Sequence, residues 1–291
     1  MMRPEIKRTL IVLLAISLLA TAASAADPLR IAFIAYQNPD QLLENVEPVV
    51  EYLEATLGLE VESFSATDYA AVVEALAGGR ADLGFMGPLQ YVIARERSGA
   101  YPILGEVYNG SQTYVSRIFV RKDSKIADLA ALRGKTMAFT DPISSSGYLY
   151  PLDAFKQKGL IESREDADRF FKKVYFAGGD EQALRSVLNG FVDAAGVGQF
   201  AFDLLRANEK DQIVSIGESR AIPSHCVVAR RGLDTALVER FKKAMLALDK
   251  TKDRALLQKL YNVDGYVAVE DATYADVAEI AREYGFVRKG D

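Results

Sequence analysis

The run Asp141-Pro142-Ile143-Ser144-Ser145-Ser146-Gly147 holds the most concentrated chemistry in the chain. It lies between a strand-like stretch, 135–139, and a helical one extending to about residue 158. A helix start exposes unpaired N–H groups and a partial positive charge, so an anion fits there without a formal cation. The serine hydroxyls add donors, and Gly147 removes the side chain that would block close approach. The same run also suits ordinary N-capping by one serine with the other two solvated. Pro151 lies deeper than the favoured first helical position, so an irregular or kinked helix start is expected.

Other reactive groups are sparse. His225 is the only histidine and Cys226 the only cysteine, which excludes a disulfide framework and the usual His/Cys zinc sites. In a strand, adjacent side chains point to opposite faces, so these two do not readily share a metal. Cys226 reads as a small buried hydrophobe. There is no Gly-x-Ser-x-Gly elbow, no phosphate loop ending in Gly-Lys-Ser/Thr and no evident nucleophile beside the histidine. The chain therefore reads as a binding protein, not an enzyme, with no cofactor. Its 35 basic and 40 acidic residues give a net charge of −5, without the basic excess that neutralises nucleic-acid phosphates.

The elements that must position the serine run form an α/β pattern. Strand-like runs at 29–35, 59–64 and 81–85 alternate with helical runs at 40–57 and 69–77, implying mainly parallel sheets covered by helices. The chain also repeats itself. Residues 76–87 and 187–198 share a helix–glycine–strand plan 111 residues apart, with Gly79 and Asp82 matched by Gly190 and Asp193. Residues 29–33 are echoed by 135–139 at a slightly different offset. Similar α/β units look alike in any case, but the repeat favours two lobes with a cleft between them. Ligands bind beyond the carboxyl ends of such strands, so the loops 36–39, 65–69, 86–88, 141–147, 177–180 and 198–200 are expected to face the cleft. Tyr36, Met86 and Gln199 become candidate contacts in this way. Tyr69 and Asp180, equivalent under the offset, should face each other.

Residues 1–25 read as a secretory signal: Arg3, Lys7 and Arg8, then an apolar stretch over 10–20 broken only by Ser17, then Ala23-Ser24-Ala25. The apolar run falls short of the roughly 20 residues of a membrane span. Cleavage near Ala25 removes three bases and one acid and leaves a net charge of −7. The mature chain is expected to be a soluble exported protein, and a lone cysteine suits an oxidising compartment because it has no partner with which to mispair.

Five segments occur in register: Thr67-Asp68-Tyr69-Ala70, Asp82-Leu83-Gly84-Phe85-Met86-Gly87-Pro88, Thr113-Tyr114-Val115-Ser116, Val120-Arg121-Lys122-Asp123-Ser124 and the serine run itself. Together they resemble the periplasmic phosphate/phosphite/phosphonate substrate-binding proteins of ABC transporters, over nearly all of the mature chain. The resemblance implies a two-lobed type II periplasmic binding protein fold that closes on a small phosphorus oxyanion and delivers it to an inner-membrane ABC permease. It implies that Ser144, Ser145 and Ser146 hold the anion oxygens while Tyr69 and Tyr114 add hydroxyls from the opposite wall. Tyr69 could equally open a helix, and Tyr114 could pack on the hinge strand. A membrane sensor kinase is the alternative partner, with the protein presenting a phosphorus or arsenic oxyanion to it. A monomer is expected in either case.

The sequence departs from the phosphonate binders at three positions. A family histidine falls on Asp180, an acidic position falls on Gln199 or Phe200, and a family aspartate falls on His225. The lost acids point away from an amine-bearing ligand. Asp180 and His225 remain as a possible pair across the cleft. An aspartate beside an anion is costly unless the ligand carries a proton or the histidine neutralises it. The expected partition is lobe one from 26–115 plus 222–291 and lobe two from 116–221. The chain crosses at 116–120 and returns at 221–228, and an amphipathic helix over 234–248 covers lobe one.

Overall fold

A computed structural model describes residues 27–34, 39–66 and 68–288. The expected signal segment and Tyr36 lie outside the described residues. In chain order the strands are β1 (Leu29–Ile34), β2 (Val61–Ala66), β3 (Leu83–Met86), β4 (Tyr101–Val107), β5 (Thr113–Tyr114), β6 (Ser116–Arg121), β7 (Thr136–Phe139), β8 (Lys173–Phe176), β9 (Ala194–Gly198), β10 (Ile213–Glu218), β11 (Ile222–Pro223), β12 (Cys226–Ala229) and β13 (Gly265–Ala268). The helices are α1 (Pro39–Leu57), α2 (Tyr69–Ala77), α3 (Pro88–Ser98), α4 (Tyr150–Gln157), α5 (Arg164–Phe170), α6 (Asp180–Leu188), α7 (Ala207–Lys210), α8 (Thr235–Leu246), α9 (Arg254–Lys259) and α10 (Ala275–Glu283).

Two sheets result, ordered β13-β4-β12-β3-β1-β2 and β10-β6-β9-β7-β8. The repeated units β2-β1-β3 and β8-β7-β9 are parallel, as their helical crossovers require. Each is extended by antiparallel strands, so the sheets are mixed rather than mainly parallel. The added neighbours are the crossing strands themselves: β12 lies antiparallel to β3, and β6 antiparallel to β9. No local periodicity signals such a pairing, because it joins segments distant in sequence.

The two sheets share one staple. Asp82 Oδ2 accepts the backbone N–H of Arg30 at 2.9 Å, and Asp193 Oδ2 accepts that of Thr136 at 2.8 Å. Each aspartate precedes the third strand of its unit and ties down the start of the first strand. Before each, the helix ends on a glycine with positive φ, Gly79 at +67° and Gly190 at +72°, a conformation that costs other residues a steric penalty.

Side chains alternate across β1. Leu29, Ile31 and Phe33 join a core with α1 and α8, whereas Ala32 and Ile34 join another with α2 and α3. In α8 the buried face is Val238, Phe241, Ala244 and Met245, with Leu237 only partly covered. The second of these cores does not stop at one sheet. It continues through Tyr148, Leu149 and Phe155 to Phe139 of β7, so the two halves share apolar packing behind the cleft. A smaller core of Ala183, Leu184 and Val187 backs the outer face of the second sheet.

The two crossings are bonded to each other. β5 and β11 pair antiparallel, Tyr114 opposite Ile222, and Ser116 N–H donates to Ser219 Oγ at 2.9 Å. A further link comes from the C-terminal end, where Phe286 meets Tyr148 edge-on at 5.9 Å and Glu283 pairs with Lys156. The segment after β13 therefore leans on the second half as well as the first. Among the described residues no helix is long and apolar enough to cross a membrane.

Candidate functional site

The serine run sits where β7 ends. Ser144 is extended and its Oγ accepts the N–H of Gly147 at 3.0 Å. Residues 145–149 then form a single π-helical turn, with Leu149 N–H donating to Ser144 O at 3.1 Å, before α4 begins. Pro151 has no N–H with which to continue the ladder, and the Ser146 carbonyl is instead taken by Ser116 Oγ at 2.6 Å. The Gly147 carbonyl accepts Thr140 N–H at 3.0 Å. A Cβ at Gly147 would collide with the Thr140 side chain, so only glycine brings turn and strand this close. The expected irregular start is present, and it is held by side chains from outside the turn. Among the described residues, the N–H groups of Ser145 and Ser146 have no hydrogen-bond acceptor. Two consecutive amides at a helix start are what an anion needs.

The opposite wall comes from the first half. Ser145 Oγ accepts the Leu89 N–H of α3 at 2.9 Å, leaving its own O–H available to donate. Tyr69 begins α2 behind the cap Asp68, whose side chain accepts Ala71 N–H. Its hydroxyl bonds the Ser144 side chain, and burial, with Asp180 and Asp141 nearby, raises the phenol well above its ordinary range. Asp180 is near enough to Tyr69 to act on its phenol electrostatically. Tyr114, on the crossing strand, is stacked between Phe200 at 6.0 Å and His225 at 5.1 Å.

Asp180 and His225 each have their own partners. Asp180 Oδ1 accepts Thr140 Oγ1–H at 2.5 Å, and its carboxylate also accepts Gly198 N–H. Burial nevertheless pushes it up to about 6. His225 Nδ1 lies 3.7 Å from Glu106 Oε2, and burial pushes the imidazole down to about 4. At neutral pH His225 is therefore uncharged and cannot neutralise Asp180. In place of the expected pair, Asp180 is bonded to Thr140 and the uncharged imidazole lies near Glu106.

Glu106 went unnoticed in the sequence, where it is one acid in an otherwise apolar strand. It is 1% exposed, accepts Tyr108 O–H at 2.6 Å, and is pushed up to about 7 by burial.

A cavity of about 310 Å³ opens between the halves. Ser146, Tyr114, Asp180 and His225 line it, together with Tyr108, Phe200 and Tyr261. Ser144, Ser145, Gly147 and Tyr69 are buried beside Ser146 rather than on the cavity wall. Met86 does not line it. This residue is buried in the core and paired with Cys226, whose Sγ lies 3.7 Å from the Met86 carbonyl. Gln199 does not line it either, because its side chain accepts Val115 N–H at 3.1 Å and so braces the crossing strand. Its neighbour Phe200 takes the wall position.

A family model for periplasmic substrate-binding proteins of phosphonate ABC transporters matches residues 31–274. The phosphate-import protein PhnD of Mycolicibacterium smegmatis is 34% identical over 190 residues, 64% of this chain and 58% of that protein, so the match spans little more than half of the relative's length. The phosphonates-binding periplasmic protein of Escherichia coli is 27% identical over 250 residues, covering 83% of this chain and 72% of that one. In structure, PhnD1 of Prochlorococcus marinus, solved with methylphosphonate, superposes with a TM-score of 0.80 at 21% identity, covering 89% of this chain and 98% of that one.

Proposed function

This chain belongs to the family of periplasmic substrate-binding proteins of phosphonate ABC transporters, and from that membership we propose that it captures a small phosphorus oxyanion, as its singly protonated form, for an inner-membrane ABC permease. The observation that carries the reading is the pair of amides at Ser145 and Ser146, which have no acceptor among the described residues, set beside a cavity that Ser146, Tyr114 and Asp180 share. The amides and hydroxyls receive the charged oxygens. Asp180 receives the remaining P–O–H, since an acceptor facing a fully ionised oxygen would repel it. Phosphate, phosphite and phosphonate share this headgroup, and the aromatic wall of Tyr108, Phe200 and Tyr261 leaves room for a hydrogen or carbon substituent. Nothing in the fold or among the relatives named above favours the sensor alternative.

The test is thermal unfolding with phosphate, phosphite, methylphosphonate, aminoethylphosphonate, sulfate and arsenate. A ligand at 100 times its Kd stabilises by about 2.7 kcal/mol, which moves the midpoint by several degrees. A response to one or more phosphorus oxyanions and none to sulfate is expected. Silence across the panel overturns the reading, and a response to aminoethylphosphonate alone replaces the bare oxyanion with an amine-bearing ligand.

A further inference from the structure

We propose that the captured oxyanion is the headgroup of an organic phosphonate or phosphate monoester, whose apolar, ring-sized substituent sits on the wall formed by Tyr108, Phe200, Leu204 and Tyr261. The inference rests on the oxyanion reading above and adds the substrate class. The groups that suit the headgroup gather at one end of the cavity, around Ser146, Tyr114 and Asp180. Among the described residues, the cavity continues from there past the rings to Asn45 of α1 and Lys259 of α9. Its volume is about 310 Å³. A water takes about 30 Å³ of the liquid, so methylphosphonate displaces on the order of 100 Å³ and leaves most of the space beside the rings. Pockets of about 300 Å³ and more are the size that larger organic ligands fill. The two halves already touch here. Ser145 Oγ accepts Leu89 N–H between them at 2.9 Å, and Tyr108 of the first half lies on Phe200 of the second with ring centroids 4.6 Å apart.

The outer wall is apolar and only partly covered. Tyr108, Phe200 and Tyr261 are half-buried, and Leu204 is 39% exposed. Removing such surface from water is favourable in proportion to its area. A hydrogen or a methyl group on phosphorus covers little of it. A ring joined to phosphorus directly or through oxygen covers more and packs on aromatic side chains. The charges agree with an apolar substituent rather than an ammonium-bearing one. Of the two carboxylates on the lining, Asp180 stands at the headgroup end and Asp203 lies 3.7 Å from Lys210 Nζ. At the mouth Lys259 Nζ donates to Asn45 Oδ1 at 3.1 Å, and this polar rim bounds the apolar surface.

The test is isothermal titration calorimetry of the natural protein at neutral pH with phosphate, methylphosphonate, phenylphosphonate and phenyl phosphate. At least one phenyl ligand is expected to bind about tenfold or more tighter than methylphosphonate. The tighter of the two tells whether the substituent is joined through carbon or through oxygen. In Phe200→Ala the preference for phenyl over methyl should fall about fivefold. Leu204→Ser, at a more exposed position, should lower it in the same direction and serves if Phe200→Ala does not fold. If methylphosphonate or phosphate binds and neither phenyl ligand gains that much, the proposal is overturned while the oxyanion reading stands. A preference unchanged in both variants overturns it as well. If none of the four ligands binds, the oxyanion reading fails and takes this proposal with it.

Discussion

The Ser145 hydroxyl accepts the Leu89 N–H at 2.9 Å, so a residue of one half caps a helix of the other. The N-cap of α3 is Gly87, which has no side chain with which to do so. Ser145→Ala leaves that buried N–H without a partner and is expected to cost about 1 kcal/mol. Urea unfolding measures the loss, and small-angle X-ray scattering should show a larger radius of gyration for the variant.

Asp180 makes stability depend on pH in a defined direction. Its carboxyl is raised from 3.8 to about 6 in the fold, so the unfolded chain ionises first and the folded state loses stability as pH rises between those values. Asp180→Asn removes the effect. Its stability relative to the natural protein should rise by about 2 kcal/mol from pH 4 to pH 7, a figure discounted for the residue's partial exposure. Urea unfolding at the two pH values checks the sign. The same variant should re-rank protonated oxyanions in a binding panel, and an unchanged ranking removes Asp180 from the site.

Gly147→Ala places a methyl group against Thr140, which cannot retreat because its N–H holds Gly147 O and its hydroxyl holds Asp180. Overpacking of this kind should destabilise by about 3 kcal/mol. Thr140→Gly should restore the space in a double variant, with chemical unfolding as the readout.

The two aspartate staples predict paired effects. At Asp82 burial pushes the carboxyl up, but the Arg30 amide and the guanidinium groups of Arg230 and Arg30 outweigh it and hold the group low. At Asp193 the Thr136 amide and hydroxyl do the same. Their stabilisation is present above the ordinary carboxyl value and lost as pH falls through the lowered one. Asp193→Ala should cost about 2 kcal/mol and Asp82→Ala more, since it strands two arginines. The difference from the natural protein should shrink on acidification, as unfolding at pH 3 and pH 7 would register.

Much of this architecture is legible in local pattern. The Gly79/Asp82 and Gly190/Asp193 repeat marks two equivalent units because the same turn and staple are needed in each. The serine run and Pro151 announce an irregular helix start. The antiparallel additions to both sheets are not legible, since β12 and β6 reach their partners across the crossings. The 111-residue offset finds loops but not side-chain directions. For that reason Met86 and Gln199 were expected at the cavity, where Phe200 stands instead. Glu106 is invisible without the neighbouring strand that carries His225.

The aromatic stack has an optical consequence. The chain contains no tryptophan and 14 tyrosines, so its ultraviolet emission comes from phenols alone. Tyr114, wedged between Phe200 of one half and His225 of the return strand, is quenched or released as those neighbours separate. An indole introduced by Phe200→Trp would be the sole one in the molecule, and its colour would report each opening and closing of the gap without any label.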